Sequence, residues 1–250
     1  KRLLVKGNNW LGDAVMSLPT IRTLKERFPA AHLALLTRQP LADLYRSLVC
    51  VDEVIVEEKG FQGWRRTVDA VRSGRFDMAL VLPRSFRAAF TIYSGDVPRR
   101  IGYGGEGREL LLTDAVRRNG EVLKIHRVRY FHRLLAPLDI QGDPPAPGLT
   151  PSAELSRWAE EYLRGVGWDG RSILVGINPG AAYGTAKQWG GEKYALVAEE
   201  IVRTTGATVL LFGAGADVAC GARIAEAVPK GVVNLTGKTT IPQLIALIHR

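Results

Sequence analysis

The stretch that most limits what this chain can become lies at its start. Arg2-Leu3-Leu4-Val5 is short and apolar enough for a buried parallel strand, and it runs into Lys6-Gly7-Asn8-Asn9-Trp10-Leu11-Gly12-Asp13. Beyond that turn Val15, Leu18, Ile21, Leu24 and Phe28 recur at steps of three and four, the apolar stripe of a helix. In open α/β sheets such a strand-to-helix turn sits at the carboxyl end of the sheet, where ligands bind. Gly7 and Gly12 let backbone come close to whatever lies above. Asp13 falls at or just before the first helical turn, and its spacing alone allows either an N-cap or a carboxylate facing the crevice. Trp10 reads as a loop anchor, and Pro19 predicts a kink.

The alternation of apolar runs and helical patterns continues, the signature of βαβ units. Leu33–Leu36 reads as the second strand, with a short helix from Pro40 to Leu48, and Val54–Val56 as the third. A helix between Phe61 and Ser73 leads to a fourth strand, Met78–Leu82, stopped by Pro83. The turn after it offers Ser85 and Arg87, which suit a solvated turn as well as hydrogen bonds to a sugar or phosphate. Arg99–Arg108 holds Gly102, Gly104, Gly105 and Gly107 and predicts a mobile loop; with no Gly-Lys-Ser/Thr ending, it is not a P-loop. Lys124–Leu138 predicts one helix, apolar on one face and basic on the rest, with His126 and His132 at its surface. A solvated face is the ordinary reading of those cations and a surface docked on anionic lipid the second.

Prolines and glycines crowd Asp139–Ser152, the clearest linker in the chain. It divides a first domain, residues 1–150, from a second, residues 153–250, which opens with a helix from Ala153 to Leu163. Ser172–Ile177 is that domain's first strand and feeds Asn178-Pro179-Gly180-Ala181 and onward to Trp189, with a helix starting near Glu192. Backbone N–H groups of such a loop can face a pyrophosphate, Thr185 can donate a hydrogen bond, and Lys187 is either a solvated lysine or the positive charge for that anion. Thr208–Phe212 then meets Gly213-Ala214-Gly215-Ala216-Asp217; with Val218 at the third glycine position, this is a weak dinucleotide signal. Val232–Leu235 is a last strand, and Thr239–His249 a helix capped by Thr239 or Thr240, with Pro242 in its first turn. With three strands, the second domain reads as incomplete, and Leu244, Ile245, Leu247 and Ile248 are expected to find too little to pack on.

Charge narrows the partners. Residues 1–150 hold 24 Lys and Arg against 16 Asp and Glu, a balance of +8, while residues 151–250 hold 10 against 9. The first half is therefore the surface for an anionic partner: a membrane, a phosphorylated glycolipid or nucleic acid. The cations form no recognisable nucleic-acid motif, so no nucleic-acid partner is expected. No run is long enough to span a membrane. Cys50 and Cys220 lie far apart, without metal spacing, and read as buried free thiols of a reducing cytoplasm.

Asn9-Trp10-Leu11-Gly12-Asp13-Ala14-Val15-Met16, continued through Pro19–Leu24, Phe28-Pro29 and Val51–Ile55, resembles the N-terminal motif of the ADP-heptose:lipopolysaccharide heptosyltransferases, their type II members most of all. The similarity extends to Leu82-Pro83-x-Ser85-Phe86, to Arg100-x-Gly102 and Glu106-x-Arg108, and to Lys187-x-Trp189. It implies an α/β fold of the GT-B type, two facing Rossmann-like parallel-sheet domains with the active site between them. The implied reaction moves L-glycero-D-manno-heptose from ADP-heptose, with inversion, to the heptose of the lipopolysaccharide inner core at the cytoplasmic face of the inner membrane. The implied roles are catalytic for Asp13, as base, and Lys187, as diphosphate stabiliser. Asn9, Trp10, Gly12, Ser85, Arg87 and Arg108 fall on the acceptor side; Gly180, Ala181, Thr185, Gly213 and Asp217 join Lys187 on the donor. No metal or other cofactor is implied. The chain departs from the family at Ala182, usually acidic, and at Thr185 and Gly190, usually prolines. The family continues past Arg250 with a further strand, a donor-binding Asp-Ser-Gly…His segment and closing helices. Two other readings compete: a non-catalytic binder of anionic glycolipid, resting on the basic half, and a nicotinamide-dependent oxidoreductase, resting on Gly213 and Gly215.

Overall fold

The computed structural model describes residues 1–181 and 185–250, with all their side chains except those of Glu121 and Thr185. The chain forms two compact units, Lys1–Leu149 and Thr150–Arg250, and the boundary falls in a run, residues 140–152, without helix or strand.

The first unit contains β1 (Arg2–Lys6), α1 (Leu11–Arg27), β2 (His32–Arg38), α2 (Gln39–Arg46), β3 (Glu53–Glu57) and α3 (Gly60–Ser73). It continues with β4 (Met78–Val81), α4 (Phe86–Ser94), β5 (Arg99–Tyr103), β6 (Asp114–Val116), α5 (Gly120–Lys124) and α6 (Arg127–His132). All six strands are parallel, in the order β3-β2-β1-β4-β5-β6. Side chains of β1 alternate between faces, as a pleated strand requires. Leu4 joins Ala34, Leu36, Ala79 and Val81 under α3 and α4, through Val71, Ala88, Ala89 and Ile92. Leu3, Val5, Leu33 and Leu35 are buried on the other side, and α1 buries Ala14, Leu18, Ile21 and Leu24 while packing along α6. Pro19 lies inside α1, a single helix from Leu11 to Arg27.

Three local expectations are corrected here. Arg99–Tyr103 is not loop but an inner strand, because β4 and β6 pair with its backbone on both sides. The helix expected over Lys124–Leu138 is broken. Ile125 and His126 are extended, the His126 ring accepts the Val128 N–H and starts α6 afresh, and Arg133–Leu138 is a 3₁₀ turn containing Pro137, which has no N–H to continue a helix. His132 is buried rather than superficial, and burial pushes its imidazole below the ordinary histidine pKa. Cys50 and Cys220 are both free and half-buried.

The second unit contains α7 (Ala153–Gly165), β7 (Leu174–Ile177), α8 (Gly191–Thr205), β8 (Thr208–Leu211), α9 (Val218–Ala227), β9 (Val232–Asn234) and α10 (Ile241–His249). Its parallel sheet runs β7-β8-β9. One face is covered by α7 and α10, through Leu163, Leu210, Phe212, Leu235 and Leu247; the other by α8 and α9, through Ala198, Val209, Leu211 and Ile224. The expected bare face of α10 is therefore largely covered. Leu244 and Leu247 pack with Leu155, Trp158 and Tyr162 of α7, leaving Ile248 exposed. Thr240 and Gln243 close the start of α10 reciprocally, each accepting the other's backbone N–H.

Candidate active site

In the first unit the strand order reverses direction between β1 and β4, which makes their carboxyl ends the place where such sheets take ligands. Lys6 and Val81 lie in register there, so the two turns that follow them are neighbours. The first turn is built from beneath. Buried Lys6 donates from Nζ to Gly7 O at 2.9 Å and lies 3.3 Å from Glu57 Oε2; burial lowers its pKa and the Glu57 charge opposes the fall. Gly7 N donates to Leu36 O, and a Cβ on Gly7 would sit 3.0 Å from the Tyr45 hydroxyl. The Tyr45 phenol is pushed up to about 12 by burial. Gly7 thus serves packing on Tyr45 rather than the approach of a ligand. A Cβ on Gly12 would meet open space.

Asp13 is not the N-cap. Trp10 occupies that position, with extended backbone and no side-chain cap bond, so the Asp13 carboxylate stands in the first turn of α1, near the positive end of the helix. Its Oδ1 accepts from Arg127 Nη2 at 3.4 Å, and Asn8 Nδ2 donates to the Asp13 carbonyl. The Arg127 guanidinium rests 4.6 Å from the Tyr130 ring and 5.3 Å from Phe131; Tyr103 stacks on Tyr130 at 4.3 Å and donates its hydroxyl to the Tyr130 carbonyl. Asn9 and Trp10 are exposed beside this pair.

At the second turn Ser85 Oγ caps α4 by accepting the Ala88 N–H, and Arg87 is exposed. Arg108, expected as a ligand contact from a mobile loop, is instead 1% exposed. Its Nη1 donates to Pro83 O at 2.6 Å, tying the chain after β5 to the turn after β4, while Nε and Nη2 are buried without a partner among the described residues. Burial lowers the Arg108 pKa. Gly102 makes room for it, since a Cβ there would come 3.1 Å from Nη2.

In the second unit β7 and β8 pair in register up to Ile177 and Leu211, so the turns after them adjoin. Gly180 packs so closely on the Asp217 carboxylate that any side chain would overlap it, and Asp217 Oδ2 accepts the Ala214 N–H at 2.8 Å. Gly213 also faces Asp217, at 2.7 Å from a Cβ position to its Cβ. Asp217 therefore closes its own turn and seats the neighbouring loop. Ala181 is half-buried; Lys187, in a short 3₁₀ turn from Thr185, is exposed. Ala182 and the Thr185 side chain lie outside the described residues. Among those described, no group of three His, Cys, Asp or Glu could hold a metal ion.

A family model described as "Glycosyltransferase family 9 (heptosyltransferase)" matches residues 64–250. The chain belongs to glycosyltransferase family 9. Over 259 aligned positions it is 30% identical to lipopolysaccharide heptosyltransferase 2 of Salmonella typhimurium, covering 99% of this chain and 74% of the relative. The solved structure of E. coli ADP-heptose lps heptosyltransferase II superposes with a TM-score of 0.85 at 28% identity, over 99% of this chain and 76% of that one. A family 9 glycosyl transferase from Veillonella parvula shares the fold at a TM-score of 0.88 and 22% identity, over 99% and 72% of the respective chains. The family 9 chain is thus a transferase with the parallel-sheet α/β fold of the GT-B class, and the oxidoreductase reading of Gly213 and Gly215 is set aside.

Two participants escaped the sequence. Arg127 reads there as one cation of a solvated face, and no spacing rule links it to Asp13, 114 residues away. Lys6 reads as the first residue of the turn after the strand, whereas it ends β1 and the fold buries it under the Asp13 turn.

Proposed function

We propose that this family 9 enzyme moves L-glycero-D-manno-heptose from ADP-heptose to a heptose of the lipopolysaccharide inner core, with inversion, at the cytoplasmic face of the inner membrane. The observation that carries the reading is the Asp13 carboxylate in the first turn of α1, at the β1/β4 switch point and next to the Ser85–Arg87 turn. The names of the relatives support the substrates.

Asp13 takes the proton of the acceptor hydroxyl as its oxygen attacks the anomeric carbon. The bond from that carbon to the ADP oxygen breaks, and the electron pair leaves with the diphosphate. Lys187 and the backbone N–H groups around Gly180 and Ala181 meet this developing charge, with Thr185 as a further donor. Gly213 and Asp217 hold the shape of the donor loop rather than compete for its anion. Arg127 steadies the Asp13 carboxylate from one side. Asn9, Trp10, Gly12, Ser85 and Arg87 border the acceptor, Ser85 keeping its own O–H to give after capping α4. Arg108 supports the acceptor side from beneath, its Nη1 holding the turn before Ser85 through Pro83 O. The donor is ADP-heptose, and none of these steps calls on a metal.

The test is Asp13→Asn, which keeps size and removes the base. Transfer should fall about 10²–10⁴-fold, with ADP affinity changed by no more than a few-fold. A variant that keeps more than a tenth of the wild-type rate would remove Asp13 from catalysis.

A further inference from the structure

Two helices of the first unit carry a row of aromatic rings for which the transfer chemistry has no use. Phe61 and Trp64 lie in the first turns of α3, Phe86 and Phe90 in those of α4, and the two helices pack together. Trp64 and Phe90 stack nearly parallel with centroids 5.5 Å apart; Phe61 tilts onto Trp64 at 5.9 Å, and Phe86 stacks on Phe90 at 6.0 Å. The row is anchored at its middle, where Trp64 Nε1 donates to Thr91 Oγ1 and that hydroxyl donates to Arg87 O. Nevertheless Phe61 remains 72% exposed, Phe86 48% and Phe90 37%. Scattered exposed apolar residues are ordinary, but an ordered, contiguous row marks an interaction surface.

Its surroundings indicate the partner. Lys59 and Arg65, flanking Phe61 and Trp64 in sequence, and Arg84 and Arg87, flanking Phe86, are exposed, in a unit whose balance is +8. Rings that can sit among lipid headgroups, flanked by cations that can meet lipid phosphates, are the composition of an interfacial membrane contact. No described helix is long and apolar enough to cross a membrane. The basic face expected to meet lipid, over Lys124–Leu138, is less suited: Arg127 is engaged by Asp13, Arg129 lies 3.1 Å from Asp143, and His132 is buried.

We infer that the Phe61–Trp64–Phe90–Phe86 row is the face by which the first unit docks on an anionic bilayer. It rests on the proposed function in one respect, the lipid-borne acceptor: α4 begins directly after Ser85, so docking there holds the acceptor turn at the membrane surface.

The experiment is sedimentation with phosphatidylglycerol-containing vesicles at physiological salt, against pure phosphatidylcholine vesicles. The chain should bind the anionic vesicles and bind the neutral ones far more weakly. Brominated lipid should quench its tryptophan emission, and Trp64→Phe should lose most of that quenching. Phe61→Ser with Phe90→Ser should weaken partition roughly tenfold or more. Phe61→Ser alone, at the most exposed ring, should weaken it in the same direction with an unchanged melting temperature, which covers a folding defect in the double variant. Transfer to a water-soluble, delipidated acceptor should be unchanged in Phe61→Ser, so loss of the proposed activity and loss of docking are read separately. No vesicle binding would overturn the inference, as would binding that survives the serine variants or is lost only on reversing Arg127, Arg129 and Arg133 to Glu. A dimer in solution that Phe61→Ser dissolves would make the row a contact between copies and overturn it equally.

Discussion

Replacing Arg108 by Met asks whether its guanidinium is a strut or is kept for a ligand. The folded chain gives it one partner, Pro83 O at 2.6 Å, and leaves Nε and Nη2 buried without one. A hydrogen bond to a charged group contributes about 1.5–3 kcal/mol, while each buried donor without a partner costs about 1–3 kcal/mol. One bond made, about 1.5–3 kcal/mol, stands against two donors unmade, together about 2–6 kcal/mol, and Met keeps the packing of the side chain's stem. Arg108→Met should therefore cost the first unit no more than about 1 kcal/mol of unfolding free energy, the midpoints of these ranges favouring Met by about 2 kcal/mol. Breaking a fully satisfied buried ion pair costs about 3–5 kcal/mol. If an anionic group of the acceptor completes Nε and Nη2, losing two such bonds removes about 3–6 kcal/mol, a fall of roughly 10²–10⁴ in kcat/KM for the acceptor. Arg108→Lys should not restore it, because an ammonium cannot reproduce the planar fork. Urea unfolding, fitted with one transition for each unit, and steady-state kinetics with varied acceptor give the two quantities. A stability loss above about 3 kcal/mol with unchanged kcat/KM would refute the reasoning and leave Arg108 as a strut.

Two further predictions concern other parts of the molecule. Lys187→Ala should weaken ADP binding and slow transfer together, because its charge meets the diphosphate before and during bond breaking; unchanged affinity and rate, by calorimetry and kinetics, would take it out of the site. His132, its pKa lowered by burial, binds its proton more readily in the unfolded chain. Its contribution is thus complete above the unfolded value near pH 6.5 and is lost as pH falls below that toward the folded value. His132→Gln should flatten this part of the curve in urea unfolding at stepped pH, and an unaltered slope would contradict the assignment.

Most elements were legible because their signals are local. The apolar run before Lys6, the stripe from Val15 to Phe28, and the proline cluster after Asp139 each declare themselves within a few residues, and the threonine cap of the last helix is narrowed to Thr239 or Thr240. Local signals misled where long-range pairing decided the outcome. Arg99–Tyr103 looks like a glycine-rich loop and becomes a strand because two neighbours complete its backbone. The face of α10 looks bare until α7, distant in sequence, covers Leu244 and Leu247.

The sequence by itself determined the alternation of strands and helices, the position of the linker and the glycine turns that carry Asp13 and Lys187, since each depends on neighbours in the chain. The tertiary structure alone decided what those turns meet. Placing β1 beside β4 sets the Asp13 turn next to Ser85, and the break at Ile125 starts α6 where Arg127 reaches Asp13. Gly7, Gly102 and Gly180 are glycines because Tyr45, Arg108 and Asp217 occupy the space a side chain would need. All but the Gly102–Arg108 contact join segments far apart in the chain, and strand order, which no local pattern encodes, is what brings them together.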